Sequence, residues 1–101
     1  MAAKARNVII SEIEQCIASS GYGFSDWFVG ITDKPKHQIF STHKVRQTGD
    51  AWISRLALSD LQAAEIEDYF RSVRKTRGKP GPTTLDHVYV YAYRMKEHTS
   101  P

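Results

Sequence analysis

Two histidines, a row of tyrosines and a run of cations are the residues of this chain whose types and spacing could do chemistry. His37 and His43 stand six positions apart, on different faces of any helix they share, which disfavours a two-histidine metal site. His43 alone suits a phosphate contact or a general base, and it equally suits a helix C-terminus, where its charge would complement the dipole. Tyr89, Tyr91 and Tyr93 alternate along "HVYVYAYRM" and present three rings with polar tips on one strand face, a surface that can stack bases and more often packs beneath a helix. Five cations, Arg71, Arg74, Lys75, Arg77 and Lys79, follow one another with no acid between them. Such a run tracks phosphates when it faces a nucleic acid and is otherwise a solvated loop. Glu67, just before it, stands beside Glu65 and Asp68 as part of an acidic helix face.

Other chemistries lack their residues. The chain has no glycine loop followed by Gly-Lys-Ser/Thr, no Cys/His zinc pattern and no Gly-x-Ser-x-Gly elbow. Its single cysteine, Cys16, lies at helical spacing from Ile13 and Ile17 and reads as a buried structural thiol. No amino-terminal apolar run resembles a signal peptide or a membrane span, so a cytoplasmic location without membrane contact is the expectation.

The elements that must position these groups follow from pattern. With 101 residues, 41% hydrophobic, 25% charged and a formal charge of +3, the chain is expected to form one domain over 1–101, with 1–6 and 96–101 as flexible termini. "NVIISEIEQCIASS" (7–20) carries an apolar helical face and is followed by Gly21, the residue that most readily takes a left-handed cap. "SDWFVGIT" is apolar on both sides, as in a central strand. Thr32 or Asp33 can cap a short helix from Pro35 to His43, and "AWISRLAL" is a second strand. Ser59 and Gln62 form a capping box for a helix whose expected buried stripe is Leu61, Ala64, Tyr69, Phe70 and Val73. "KTRGKPGPTTLD" is an exposed Gly- and Pro-rich loop, and the tyrosine strand closes the chain. The order α-β-α-β-α-β predicts a small α/β (α+β) layer with about three mainly antiparallel strands.

The stretch "WFVGITDKPKHQIFSTH" resembles the YIG half of GIY-YIG nuclease domains. In these, a strand ending in aromatic-Ile/Val-Gly runs through a polar turn into a helix with a histidine. "AWISRLAL" and "SDLQAAEIEDYF", with Ala63 and Glu67 four apart, match the strand and the glutamate helix that follow in the family. The likeness covers about Trp27 to Val73. It implies that the family's second aromatic falls on Phe28, its histidine on His43 and its metal-binding carboxylate on Glu67. A cation such as Mg²⁺ held by Glu67 would then polarise a phosphodiester while an arginine stabilises the developing charge. The chain departs from the pattern at Phe28, which has no hydroxyl, and in its first helix, where His37, Gln38 and Ile39 occupy the neighbourhood of the arginine. The strand that should precede Trp27 is replaced by a helix, and "YVYAY" could pair where it would lie, returning Tyr89 or Tyr91 to the site.

Three functions are carried forward. The first is a GIY-YIG-like domain that has lost part of its catalytic set and binds DNA, RNA or a protein, with the five cations on phosphates and Trp27 or the tyrosine row as a stacking surface. The second is a divergent metal-dependent endonuclease, in which Glu67 holds Mg²⁺, His43 activates water, Tyr89 or Tyr91 supplies the hydroxyl and Lys36 or Arg55 replaces the arginine. The third is a protein adaptor or inhibitor with no nucleic-acid role. No cofactor is required outside the second.

Overall fold

The pattern of "NVIISEIEQCIASS" is realised as helix α1, Arg6–Ser20, which buries Ile9, Ile13 and Ile17 and ends on Gly21 at φ 80°. The computed structural model describes residues 2–78 and 88–101. Strand β1 is Trp27–Thr32, β2 is Trp52–Leu56, helix α2 is Asp60–Tyr69 and β3 is Tyr89–Arg94. The Ser59 hydroxyl caps α2 by accepting from the Gln62 amide at 3.1 Å.

The strands form one antiparallel sheet in the order β1-β3-β2, so the protein is a small α+β domain. β3, the last strand in the chain, is the central one. β1 is therefore an edge strand and not the central strand its composition suggests. Its apolar outer flank is explained by residues 76–78: the Arg77 amide donates to Trp27 O and the Val29 amide to Arg77 O, both at 2.9 Å. The first part of the expected exposed loop is thus laid against β1, with Thr76 buried.

The period-2 alternation of β3 sends Val90 and Ala92 to one face and the tyrosines to the other. On the first face α1 and α2 close a core built on Ile13, Trp27, Val29, Ile66, Phe70 and Ala92. On the second, Tyr91 and Tyr93 pack with Phe28, Ile39 and Val45. This face is covered by a short helical segment, His37–Thr42, whose turns are wider than α: the His43 amide donates to Gln38 O, five residues back, at 3.0 Å.

α2 sits on a different face from the expected one. Its inward residues are Ala63, Ile66, Glu67 and Phe70, at i, i+3, i+4 and i+7, and Leu61 and Val73 are 66% and 61% exposed. Of the expected stripe only Phe70 is fully enclosed. The reason is that Ile66 and Phe70 together with small Ala63 let the helix approach the sheet more closely than a Leu61-centred face would.

Residues near both ends, within 1–6 and 96–101, make contacts with the body of the fold. The Lys4 amide donates to Leu56 O at 2.9 Å, and the Lys4 ammonium pairs with Glu12. At the other end, Lys96 and His98 meet the Asp50 carboxylate at 2.9 and 2.6 Å, and the Ser100 amide donates to His43 O at 2.8 Å.

The rotated face of α2 gives a direct expectation for stability. Phe70→Ala should cost about 3–5 kcal/mol, whereas Leu61→Ala and Val73→Ala should each stay within about 0.5 kcal/mol of the parent; urea unfolding of the three variants measures both.

Candidate functional site

The groups that could do chemistry gather on the second face of the sheet because β3 pairs with β1 in one particular register. Tyr91 lies opposite Gly30, with Phe28 opposite Tyr93 and Thr32 opposite Tyr89. A Cβ at position 30 would fall 2.5 Å from the Tyr91 hydroxyl oxygen and 2.6 Å from Cζ. The ring of Tyr91 therefore lies across the glycine, and the missing side chain is what lets its hydroxyl reach past β1.

That hydroxyl meets His43. Tyr91 Oη is 2.7 Å from His43 Nε2, and His43 Nδ1 is 2.7 Å from Ser100 O. A carbonyl oxygen only accepts, so Nδ1 carries the proton in the neutral ring, and Nε2 accepts from the tyrosine hydroxyl. The Tyr93 hydroxyl lies 3.0 Å from Nδ1, where it shares that proton, and the Gln38 amide nitrogen lies 3.4 Å from Nε2. The Phe28 ring centre is 4.8 Å from that of His43. His43, Tyr91 and Tyr93 are 4%, 2% and 0% exposed.

Burial pushes the Tyr91 phenol up to about 12, against a hydrogen bond from Gln38 that lowers it and with the negative charge of Glu67 adding to the rise. Burial raises Tyr93 as well, and Tyr91 adds to that shift. Tyr91 is thus a neutral hydroxyl at ordinary pH, a donor to His43 and not a phenolate base. Beside this pair opens a cavity of about 270 Å³, walled by Phe28, Gly30, Gln38, Thr42, His43 and Tyr91 and reached by Ser100 and Pro101. Its described lining contains no lysine or arginine.

Glu67 approaches from α2 at the β1 edge. Its Oε2 would lie 2.6 Å from a Cβ on Gly78, so that glycine makes room for the carboxylate beside Val29 O. Burial holds its carboxyl above the usual range, and the Arg71 guanidinium, with Nε 3.1 Å from Oε2, offsets only part of that rise. The donor set does not fit a Mg²⁺ ion held chiefly by the protein. One of the two Glu67 oxygens is committed to Arg71, and no group of three or more His, Cys, Asp or Glu side chains converges among the described residues.

The remaining expected residues are spread around the fold. Tyr89 shares the face of Tyr91 but lies at the far end of β3, against a second, larger groove with Lys36 and Arg55. Arg55 belongs to the opposite face of the sheet, where its Nε donates to Glu12 at 2.8 Å, so it does not stand in for an arginine beside His43. Trp27 is fully enclosed in the helix-side core and offers no face for a base to stack on, and Tyr91 and Tyr93 are enclosed in the same way. Arg71 pairs with Glu67 and Asp68; Arg74 pairs with Glu14 at 2.7 Å and lies over the Phe24 ring. Lys75 and Arg77 are exposed and meet no carboxylate among the described residues. Lys79 lies outside the described residues. The sequence names Tyr93 as a stacking ring and Gln38 as a neighbour of the arginine position, but gives neither a contact with His43, and it does not single out Ser100; these contacts depend on how the wide turns and the last residues fold back.

No family model matches the chain, and no curated protein or solved structure matches it either.

Two outcomes test this geometry. Gly30→Ala should drive the enclosed Tyr91 ring off its position and cost about 1–3 kcal/mol, as overpacking does, with a shift of the His43 ring resonances in NMR spectra. Asp50, 3% exposed at its side chain, would be raised by burial, but the Arg46 amide with His98 and Lys96 holds it well below the usual carboxylate range. A depressed folded value means that its stabilisation is present above the ordinary Asp value and fades as pH falls below it. Asp50→Asn should therefore cost about 1.5–3 kcal/mol at neutral pH, and the gap between the two proteins should close in thermal melts taken at progressively more acid pH.

Proposed function

We propose that this chain is a GIY-YIG-like domain that binds nucleic acid without cutting it. The observation that carries the reading is the neutral Gln38 amide beside Tyr91 and His43, in the part of the short helix where the resemblance calls for an arginine. With Gln38 in that place, and with no lysine or arginine among the described residues that line the cavity, charge developing on a phosphate would go unneutralised there. Loss of one such preorganised donor commonly lowers a rate by ~10²–10³. Phe28, packed on His43, supplies no hydroxyl.

Binding falls to Lys75 and Arg77, the exposed cations of the run that meet no carboxylate among the described residues. The Arg77 backbone is fixed to β1 through two hydrogen bonds, and Lys75 stands at φ 64° at the end of the wide turn Phe70–Arg74. Together they present two positive side chains on a held backbone at the β1 edge. Arg71 and Arg74, already paired with carboxylates, contribute less.

The test is fluorescence anisotropy of the protein with labelled single-stranded DNA, duplex DNA and RNA over a salt series, run beside cleavage assays with Mg²⁺ and Mn²⁺. Expected are binding that weakens with salt at a log–log slope of about −2, for two phosphate contacts, its loss in the Lys75→Glu/Arg77→Glu variant, and intact strands. Binding that is absent or indifferent to salt overturns the reading. Metal-dependent cleavage abolished by Glu67→Ala would replace it with the divergent endonuclease.

A further inference from the structure

The strongest unassigned feature lies at the opposite edge of the sheet from Lys75 and Arg77. Among the described residues β2 pairs with a strand, β3, on one side only. Its odd-numbered neighbours face inward, since the Ala57 amide donates to Val88 O and the Arg94 amide to Ala51 O. The main-chain groups of Trp52, Ser54 and Leu56 therefore point away from the sheet. Leu56 O accepts from the Lys4 amide, so the chain already lays one residue of its own along this edge, and Ser54 O accepts from Arg55 Nη1. The amide and carbonyl of Trp52 and the amide of Ser54 face outward beyond that point.

These groups lie on the floor of a groove of about 1030 Å³. Four consecutive residues, Trp52 to Arg55, line it. Their side chains alternate between the two faces, so the groove follows the outer edge of the strand and not either face. One wall is α1, with Cys16; the other is the turn before and within the short helical segment, with Ile39. The space thus has the form of a missing strand: main-chain donors and acceptors that are open among the described residues lie beneath, and the walls to either side are mainly polar, with Gln15 and Ser19 on one and Lys34 and Lys36 on the other.

Its charge selects the occupant. Lys34 and Lys36 stand on the rim and pair with no carboxylate among the described residues, while Glu12, the acid of the groove, is neutralised by Lys4 and Arg55 at 2.9 and 2.8 Å. We infer that the β2 edge takes up an extended, acidic segment of a partner protein, which adds a strand to the sheet with its carboxylates on Lys34 and Lys36. Strand addition supplies main-chain hydrogen bonds, and alternate side chains supply selectivity. An unprotected edge is otherwise a liability that proteins cover or charge.

The experiment is fluorescence polarisation of the full chain with a short labelled peptide of alternating valine and glutamate, beside its valine–lysine counterpart and a short oligothymidylate. The acidic peptide should bind with a Kd on the order of 10–100 μM and at least about tenfold more tightly than the basic one. Lys34→Glu/Lys36→Glu, on the surface, should invert that preference. Ser54→Pro removes an outward amide that an edge strand can lose without breaking its ladder, and should weaken the acidic peptide about tenfold while the thermal melt is retained. The inference is overturned if the acidic peptide does not saturate by roughly 1 mM, if both peptides bind alike, if the charge inversion leaves the preference unchanged, or if oligothymidylate binds more tightly and displaces the peptide.

Discussion

A buried imidazole must engage two ring nitrogens of opposite character, and the second face of this sheet is organised around meeting that demand at His43. Nδ1 finds Ser100 O, which folds the last residues back over the tyrosine face; Nε2 finds Tyr91 Oη, which is reachable because Gly30 has no side chain. The wide turns of His37–Thr42 lower the histidine onto the strands and leave Gln38 beside it. Asp50 then holds the tail from the other side through Lys96 and His98. Removing Tyr91 or the Ser100 carbonyl from its place would leave a nitrogen of the enclosed His43 ring with one partner fewer, which ties the tail and the register of β1 with β3 to the same side chain.

Local signals in the sequence were enough for most of the elements. Gly21, the Ser59 cap and the alternation of Tyr89 to Tyr93 each act over a few residues, and the structure realises all three, the Ser59 hydroxyl accepting from the Gln62 amide. The face of α2 was harder to read, because Leu61 and Val73 are as apolar as Ile66 and only packing decides which are enclosed. The position of β1 at an edge was hidden for a related reason: its outer flank is covered by residues 76–78, which read as loop. Wide helical turns have no compositional mark, since they reflect where hydrogen bonds close and not which residues carry them.

The site was legible in part. His43 and Tyr91 were named from the sequence and do meet, because a glycine opposite a tyrosine is a pairing that the topology "YVYAY" against "FVGIT" could produce. The cation run was misleading as a unit. Carboxylates distant in sequence, such as Glu14 for Arg74, or one helical turn away, such as Glu67 for Arg71, absorb two of its members, and only coordinates reveal such pairs. Trp27 illustrates the converse: a large aromatic that could stack a base serves instead as the centre of the helix-side core.

The account turns on the direction of the Tyr91–His43 hydrogen bond, which makes the tyrosine a protonated donor. Long-range nitrogen–proton correlation of the His43 ring by NMR at neutral pH reads it directly. The account predicts a protonated Nδ1 and a bare Nε2, with Nε2 moved by Tyr91→Phe and unmoved by substitution of Tyr89. A ring protonated at Nε2, or one indifferent to Tyr91→Phe, would contradict it.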